Sequence, residues 1–341
     1  MRHIYLFLPF ITLSRLVAQD FHFVNSFQLP QLINPAASGS VSVFRTHVGS
    51  LYRGQWEQTS SKDSYQGAAV LADMRYCLPN SRKNFYALGV GIQHDYSPLG
   101  GLYNSMAMLT AAYHQHLGKD NFIAAGVSTG LLGFGLQAGR LRFDAQYQQG
   151  NYDPGRSNGE ENLVSSIIRS SLGAGLLLYN NDRGWSIGLS WKHLNKPNYS
   201  LLGEDNRLGI GMIAHATYTP WQTRSHSRLW QVRALYRRQA VPGSNSLQWQ
   251  ALAGNFFQLA IGDSGGRLGA GLYVRAGSTT DRRVVVNTLV PALQLGNGRY
   301  TGTLSYDLDL ARTRTTLPGG LELQLAASFG GKDRCIVCAK F

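Results

Sequence analysis

The chain has 341 residues and a net charge of +13, yet only 15% of its residues are charged, against about 25% in an ordinary soluble domain. It contains 39 Gly, 17 Tyr, 14 Phe and 6 Trp, and its mean hydropathy of −0.17 is too low for a bundle of transmembrane helices. The basic residues are scattered over turns and strand ends, which argues against nucleic acid and favours lipopolysaccharide or an acidic protein as a partner.

Residues 1–18 are predicted to be a cleaved signal peptide. Arg2 gives a basic start, an apolar run follows from Ile4 to Leu13, and Ala18 ends the segment. This is the three-part pattern of a secretory signal, and the apolar run is shorter than the roughly 20 residues that a membrane-spanning helix needs. The alternative, an apolar first strand of a cytosolic protein, lacks the turn residues that would follow it. We therefore expect an exported protein.

The segment after the cleavage site, residues 19–39, lies outside any regular strand pattern and is predicted to be an N-terminal periplasmic segment. Pro35 fixes φ and cannot pair within a sheet, so Asn34 and Pro35 predict a turn ahead of the first strand. We assign residues 40–331 to a barrel and residues 332–341 to a C-terminal periplasmic tail.

From residue 40 onward one unit repeats, in which about ten residues alternate in polarity and a turn rich in Gly, Asn, Asp, Ser or Pro follows. In Leu321–Phe329, for example, Leu321, Leu323 and Leu325 share one face, and Glu322 lies on the other. Long alternating strands with aromatic residues at their ends predict an all-β fold, a single closed antiparallel transmembrane β-barrel of about 14 strands. The predicted strands start near residues 40, 62, 85, 102, 122, 166, 183, 207, 228, 246, 265, 283, 299 and 318.

Three polar connections are predicted to be external loops. The longest runs from Arg140 to Ser165 and is rich in Gly, Pro and Asn. The others are Asp95–Leu102 and Asn195–Arg207. Loops as long as the first are usually functional or mobile, so Tyr152 and Asp153 within it are candidate partner-binding residues.

Two patterns suggest metal or redox chemistry, and a less specific interpretation is favoured for each. Cys335 and Cys338 form a CxxC that lacks a second ligand pair, and Cys77 stands alone; a tail disulfide or two idle thiols is favoured over a zinc or redox site. His114 and His116 share one face of a strand, and a polar pair is favoured over a metal site. We expect no metal and no other cofactor.

Paired carboxylates raise the question of catalysis. Asp307 and Asp309 share one strand face, and Arg267 and Arg275 share another. In a barrel these are favoured as a structural ladder of lumen charges over an acid–base pair. No Gly-x-Ser-x-Gly stands at a predicted strand-to-helix turn, where a nucleophile elbow would need it. We expect no catalytic residues and no enzymatic activity, with a barrel hydrolase built on a Ser–His dyad as the alternative left open.

Short blocks along the mature chain carry a resemblance to a known family. In order they are Gln19–Phe23, Leu32–Gly39, Tyr52–Trp56, Gly89–Ile92, Ala111–His114, Leu304–Leu308 and Ser328–Gly331. Together they resemble the PorP/SprF family of type IX secretion proteins of Bacteroidota. The resemblance implies an outer-membrane barrel that supports export or surface anchoring of secreted proteins, including gliding adhesins, and that contacts periplasmic secretion components.

The family-like blocks supply five further candidate partner-binding residues: Asn34, Pro35, Arg53, Gln55 and Trp56. A structural interpretation is favoured for the last three, with Trp56 as an interfacial anchor and Arg53 and Gln55 facing polar surroundings. The alternative function for the whole barrel is a passive channel for fatty acids or small solutes.

Overall fold

The computed structural model describes residues 23–55, 64–78, 83–98, 101–160, 162–223, 228–240, 247–262, 265–278, 284–310 and 319–332. These residues form a closed antiparallel barrel of 14 strands. The strands are β1 Phe44–Gln55, β2 Tyr65–Cys77, β3 Phe85–Ser97, β4 Leu102–Gly118, β5 Asn121–Gly135, β6 Ser166–Asn180, β7 Trp185–Lys192, β8 Gly211–Gln222, β9 Arg228–Ala240, β10 Leu247–Ile261, β11 Gly266–Ser278, β12 Val284–Gly296, β13 Tyr300–Tyr306, which Leu308–Asp309 continues, and β14 Gly320–Lys332.

The barrel closes between its first and last strands. β1 pairs antiparallel with β14 from Phe44↔Lys332 to Gln55↔Gly320, and every other strand pairs with its neighbours in sequence. Closure gives every strand a paired neighbour on each side, as a sheet in lipid requires. The predicted fold and strand count are confirmed. The first strand begins at Phe44 instead of near residue 40, because the backbone just before it is bound inside the barrel.

The two faces of the wall differ as the alternation predicts. Outward side chains such as Ile92 and Leu323 are exposed, and inward side chains such as Glu322 and Gln324 are buried. Exposed apolar side chains recur on nearly every strand, which gives the outer surface the apolar band of a membrane barrel.

The two ends of the barrel also differ. β1 begins and β14 ends at the same end, here called the terminal end, where the connections are short, such as residues 119–120 and 181–184. The opposite end, here called the loop end, carries residues 136–165 and 193–210. The predicted external loops lie there. In bacterial outer-membrane barrels the short turns face the periplasm and the long loops face outward.

The interior of the barrel is occupied by the chain itself. Residues 23–42, here called the lumen segment, contain three single-turn 3-10 helices, Asn25–Gln28, Pro30–Leu32 and Pro35–Ala37. Their side chains are buried against the inner faces of the strands. The sequence placed residues 19–39 outside the strand pattern but did not indicate that residues 23–39 lie within the barrel. No helix among the described residues has the length and apolar character to cross a membrane.

Candidate functional site: the lumen segment and its seat

Apolar side chains hold the lumen segment against three sectors of the wall. Each sector is a cluster in which residues of the lumen segment are joined by inward-facing strand residues. The clusters are Val24, Phe27 and Ile33 with Ile213, Leu235, Leu252, Tyr273, Val290 and Ala292; Ala36 and Ala37 with Phe122, Ala124, Leu177 and Tyr179; and Phe23, Leu29 and Leu32 with Leu51, Ala69, Leu71 and Met108. Burial of this surface stabilises the segment inside the barrel.

Two glycines form a flat seat for the turn at the centre of the segment. Gly126 of β5 and Gly175 of β6 are paired across the sheet. A Cβ on Gly126 would lie 2.6 Å from Cα of Ala36, and one on Gly175 would lie 3.0 Å from Cγ of Asn34 and 3.1 Å from Cδ of Pro35. Only glycine lets the backbone of the turn approach the wall this closely.

Asn34 connects the turn to the wall. Its Oδ1 accepts a hydrogen bond from the backbone N–H of Ala36 at 2.9 Å and so caps the helix Pro35–Ala37. Its Nδ2 donates to the carbonyl of Leu176 at 2.9 Å and to Nε2 of His215 at 3.1 Å. The turn predicted at Asn34 and Pro35 is therefore present, and its capping side chain also binds two strands.

Arg75 and His114 hold the segment where it leaves the lumen for β1. Arg75 Nε donates to the carbonyl of Gly39 at 2.9 Å, and its guanidinium also donates to the carbonyl of Ser42. His114 Nε2 donates to the carbonyl of Ser38 at 2.9 Å. These buried donors satisfy backbone acceptors that have no strand partner. No sequence pattern predicted this role for Arg75.

A cluster of charges lies in the loop-end half of the lumen. Asp307 binds Arg53 and lies 2.9 Å from Arg275, and Glu322 lies 3.5 Å from Arg53. Glu322 also accepts a hydrogen bond from the backbone N–H of Val24 at 2.9 Å, which joins the lumen segment to the cluster. Each of these buried charges lies beside a charge of opposite sign, which offsets the free-energy cost of burying it. Asp307 and Arg275 thus form the lumen pair that the sequence suggested.

The other two members of that predicted ladder lie elsewhere. Asp309 belongs to the short continuation of β13 and is exposed. Arg267 is exposed at the start of β11, at the terminal end. Asp307 does not belong to a strand and interrupts β13. The side chains after it therefore no longer alternate between the two faces as the sequence predicted.

Six of the seven candidate partner-binding residues lie among the described residues, and these six separate into three groups. Asn34, Pro35 and Arg53 are buried inside the barrel, Gln55 is half-buried at the loop end of β1, and Trp56 lies outside the described residues. Tyr152 and Asp153 lie together on the longest loop. The structure thus brings Asn34 and Pro35 together but places them apart from the loop pair.

The longest loop is an organised structure. Tyr147–Gln148 and Asn151–Tyr152 form a small hairpin in which the rings of Tyr147 and Tyr152 are 5.5 Å apart. The guanidinium of Arg142 lies 4.8 Å from the centre of the Tyr152 ring. Asp153 is exposed beside it. An aromatic and a carboxylate side chain are thus presented at the loop end.

The cysteine and histidine patterns have structural partners. Cys77 is disulfide-bonded, and Cys335 and Cys338 lie outside the described residues. His114 and His116 both face inward, and Nδ1 of His114 lies 3.0 Å from the hydroxyl of Tyr179. Within the described parts of the chain, no group of three or more His, Cys, Asp and Glu residues could hold a metal ion.

A closed barrel with an apolar outer band and a polar, filled interior defines a class, the outer-membrane β-barrels. The chain belongs to the family of type IX secretion system membrane proteins PorP/SprF, whose model matches residues 16–240. A search of curated protein sequences finds no match. The resemblance seen in the sequence blocks and the outer-membrane location are confirmed.

Solved structures show the same fold at low identity. A TodX deltaS2S3 mutant monoaromatic hydrocarbon channel is 10% identical with a TM-score of 0.52, and the match covers 88% of this chain and 94% of that chain. The CymD monoaromatic hydrocarbon channel is 12% identical with a TM-score of 0.48, over 90% and 94% of the two chains. The translocator domain of the autotransporter NalP from Neisseria meningitidis is 12% identical with a TM-score of 0.37, over 89% and 95%. At these identities the likeness concerns the barrel fold alone.

Proposed function

We propose that this protein is a closed docking barrel of the type IX secretion system, which binds secreted cargo at its loop end and periplasmic secretion components at its terminal end. Export or surface anchoring of cargo, including gliding adhesins, depends in this proposal on binding and not on catalysis. Family membership supports the assignment to the secretion system. The observation that supports a docking role is the lumen segment, because a barrel filled by its own chain is suited to scaffolding.

The same observation weighs against the passive channel for fatty acids or small solutes. A channel needs a continuous path, and the lumen segment packs against three sectors of the wall across the interior. The likeness to hydrocarbon channels is one of fold, at 10% identity.

The hairpin of the longest loop is the proposed contact for cargo. Tyr152 is held there by its ring contact with Tyr147 and by the guanidinium of Arg142. Asp153 is held by the hydrogen bond that its backbone N–H donates to the carbonyl of Gln146 at 2.9 Å. A tyrosine offers a large contact area with little loss of conformational entropy, and the neighbouring carboxylate adds charge selectivity.

Gene deletion tests the proposal. Cells lacking the gene should retain a defined set of secreted proteins, measured by mass spectrometry of culture medium, surface and periplasm. The full chain should restore export. A double variant Tyr152→Ser and Asp153→Ser should not restore it, although it reaches the outer membrane in equal amount. The matched control is Asn158→Ser in the same loop. An unchanged set of exported proteins after deletion would contradict the proposal.

A further inference from the structure

A concavity opens at the terminal end of the barrel. It has a volume of about 970 Å³ and lies between the lumen segment and the wall strands that end there. The short turn 297–299 lies on its rim, and Gln28 of the lumen segment lies on its inner side. We call this space the vestibule. It is more than four times the size of the space of about 210 Å³ that strand residues line at the loop end.

The vestibule carries positive charge. The described residues that line it include three arginines, Arg233, Arg267 and Arg299, and none of those described residues is Asp or Glu. Arg267 and Arg299 are exposed, and no carboxylate of the described residues forms a salt bridge with either of them. A concave surface of one charge sign focuses its field and attracts ligands of the opposite sign.

Arg233 is held in place on the deeper wall. Its Nε donates to Oε1 of Gln231 at 2.7 Å, and its Nη1 donates to the hydroxyl of Tyr273 at 3.2 Å. The face of the guanidinium lies 4.4 Å from the centre of the Phe256 ring. A guanidinium fixed in this way is preorganised, so a ligand loses less entropy in binding it.

Side-chain amides surround the arginines. The described residues that line the vestibule include five glutamines: Gln28, Gln222, Gln231, Gln258 and Gln294. The amides of Gln28 and Gln258 make no hydrogen bond with the described residues. Each primary amide both donates and accepts, which matches the alternating N–H and C=O groups of an extended peptide.

We propose that the vestibule binds an acidic, extended peptide segment of a periplasmic partner protein, a proposal that rests on the proposed docking function. An anionic glycan is a poorer fit, because glycans favour open aromatic faces. The ring of Phe44 is covered by the guanidinium of Arg299 at 5.0 Å. Tyr300 packs instead against Phe329, with ring centres 6.5 Å apart.

Direct binding tests this proposal with the purified full chain in detergent. The probe is a short fluorescein-labelled peptide of alternating Glu and Ser, and its control is a peptide of alternating Gln and Ser. The acidic peptide should bind more tightly, and raising the salt concentration should weaken it, because the charges at the rim are screened. Equal binding of both peptides would overturn the proposal.

Removing a positive charge at the rim of the vestibule tests whether the acidic peptide binds there. Arg267→Gln should weaken binding of the acidic peptide about fivefold, the effect of about 1 kcal/mol from one charge pair. Arg183→Gln is the matched control, because Arg183 is exposed in the turn 181–184 at the same end but does not line the vestibule. Equal loss in both variants would contradict a located site, as would a sulfated oligosaccharide that binds more tightly than the peptide and displaces it.

The two proposals fail separately. If the gene deletion traps cargo but the acidic peptide does not bind, the vestibule proposal is wrong and the docking function stands. If the peptide binds at Arg267 but the deletion leaves export unchanged, the docking function is wrong.

Discussion

Single residues decide how closely the lumen segment approaches the wall. Gly126 and Gly175 are inward-facing positions in long strands, where glycine weakens a sheet. Their cost is offset because the turn at Asn34 packs directly on them, with its cap and two wall hydrogen bonds. Glycine is required at these two positions because the turn approaches them closely, and not because glycine itself is flexible.

A methyl group on the seat should therefore destabilise the protein. In Gly126→Ala the new Cβ meets the backbone of Pro35 and Ala36, and overpacking of this kind costs about 1–3 kcal/mol. Urea unfolding in detergent micelles measures the free energy of unfolding. Gly211→Ala is the control, because Gly211 also faces inward from a strand and its nearest neighbour would be Cβ of Lys192 at 3.7 Å. A loss as large in the control as in Gly126→Ala would show that the seat is not special.

The buried charge cluster allows a second prediction at this scale. Asp307→Asn leaves Arg53 and Arg275 without their shared carboxylate, and removing one partner of a buried pair costs about 3–5 kcal/mol. Unfolding of this variant in urea should show a loss near the lower figure, because Glu322 still lies 3.5 Å from Arg53.

Asp120→Asn is the matched control for the buried pair. Asp120 accepts a hydrogen bond from Lys83 at 2.8 Å, and this bond lowers the pKa of its carboxyl group. The pair is exposed at the terminal end, so it should contribute less than about 1 kcal/mol. A carboxyl group whose pKa is lowered by folding stabilises the folded protein fully at pH above its ordinary pKa. The small effect should therefore decrease as the pH falls and be lost once the pH has passed below the lowered pKa. A loss equal to that of Asp307→Asn would contradict the comparison.

At the scale of elements, the strands could be predicted and the lumen segment could not. Period-two alternation and turn residues located fourteen strands, with starts within four residues of those observed, the largest differences being Phe44 against 40 and Gly211 against 207. Alternation reports which face of a strand is polar, but it does not report what fills the barrel. The lumen segment shows neither the period of a strand nor the period of a helix, because each of its three helices is only one turn long.

A signal of the filled lumen was nevertheless present in the sequence. In a barrel with a polar interior, inward positions should be polar. Leu71 and Leu177 face inward and are buried, although Val70 beside Leu71, and Leu176 and Leu178 beside Leu177, already supply the outward apolar face. Strands that are apolar on both faces indicate that something apolar lies inside. The roles of Arg75 and His215 in holding the lumen segment could not be predicted in this way, because polar residues are expected at the inward positions of any barrel.

The exit of the lumen segment provides a prediction at the element scale. Arg75→Leu removes the donors that hold the carbonyls of Gly39 and Ser42, so hydrogen–deuterium exchange of the peptide spanning residues 36–44 should become faster. Exchange in β9 and β10 should not change, because they are remote from Arg75. Arg169→Leu, an exposed strand residue, is the control. Unchanged exchange in residues 36–44 would contradict the assigned role of Arg75.

The whole molecule is a wall, a filled lumen and two unlike ends. Closure between β1 and β14 satisfies the backbone in lipid, and the apolar clusters and hydrogen bonds of the lumen segment fill the interior. The surfaces available to partner proteins are then the loop end with its hairpin and the terminal end with its vestibule. The proposed docking function follows from this division.

Ion conductance tests the filled lumen most directly. The full chain, reconstituted in planar lipid bilayers, should show no stable conductance steps. A variant that lacks residues 23–40 should show them, provided that its heat-dependent migration on gels confirms a folded barrel. Stable conductance of the full chain equal to that of the deletion variant would contradict the account of this protein as a closed docking barrel.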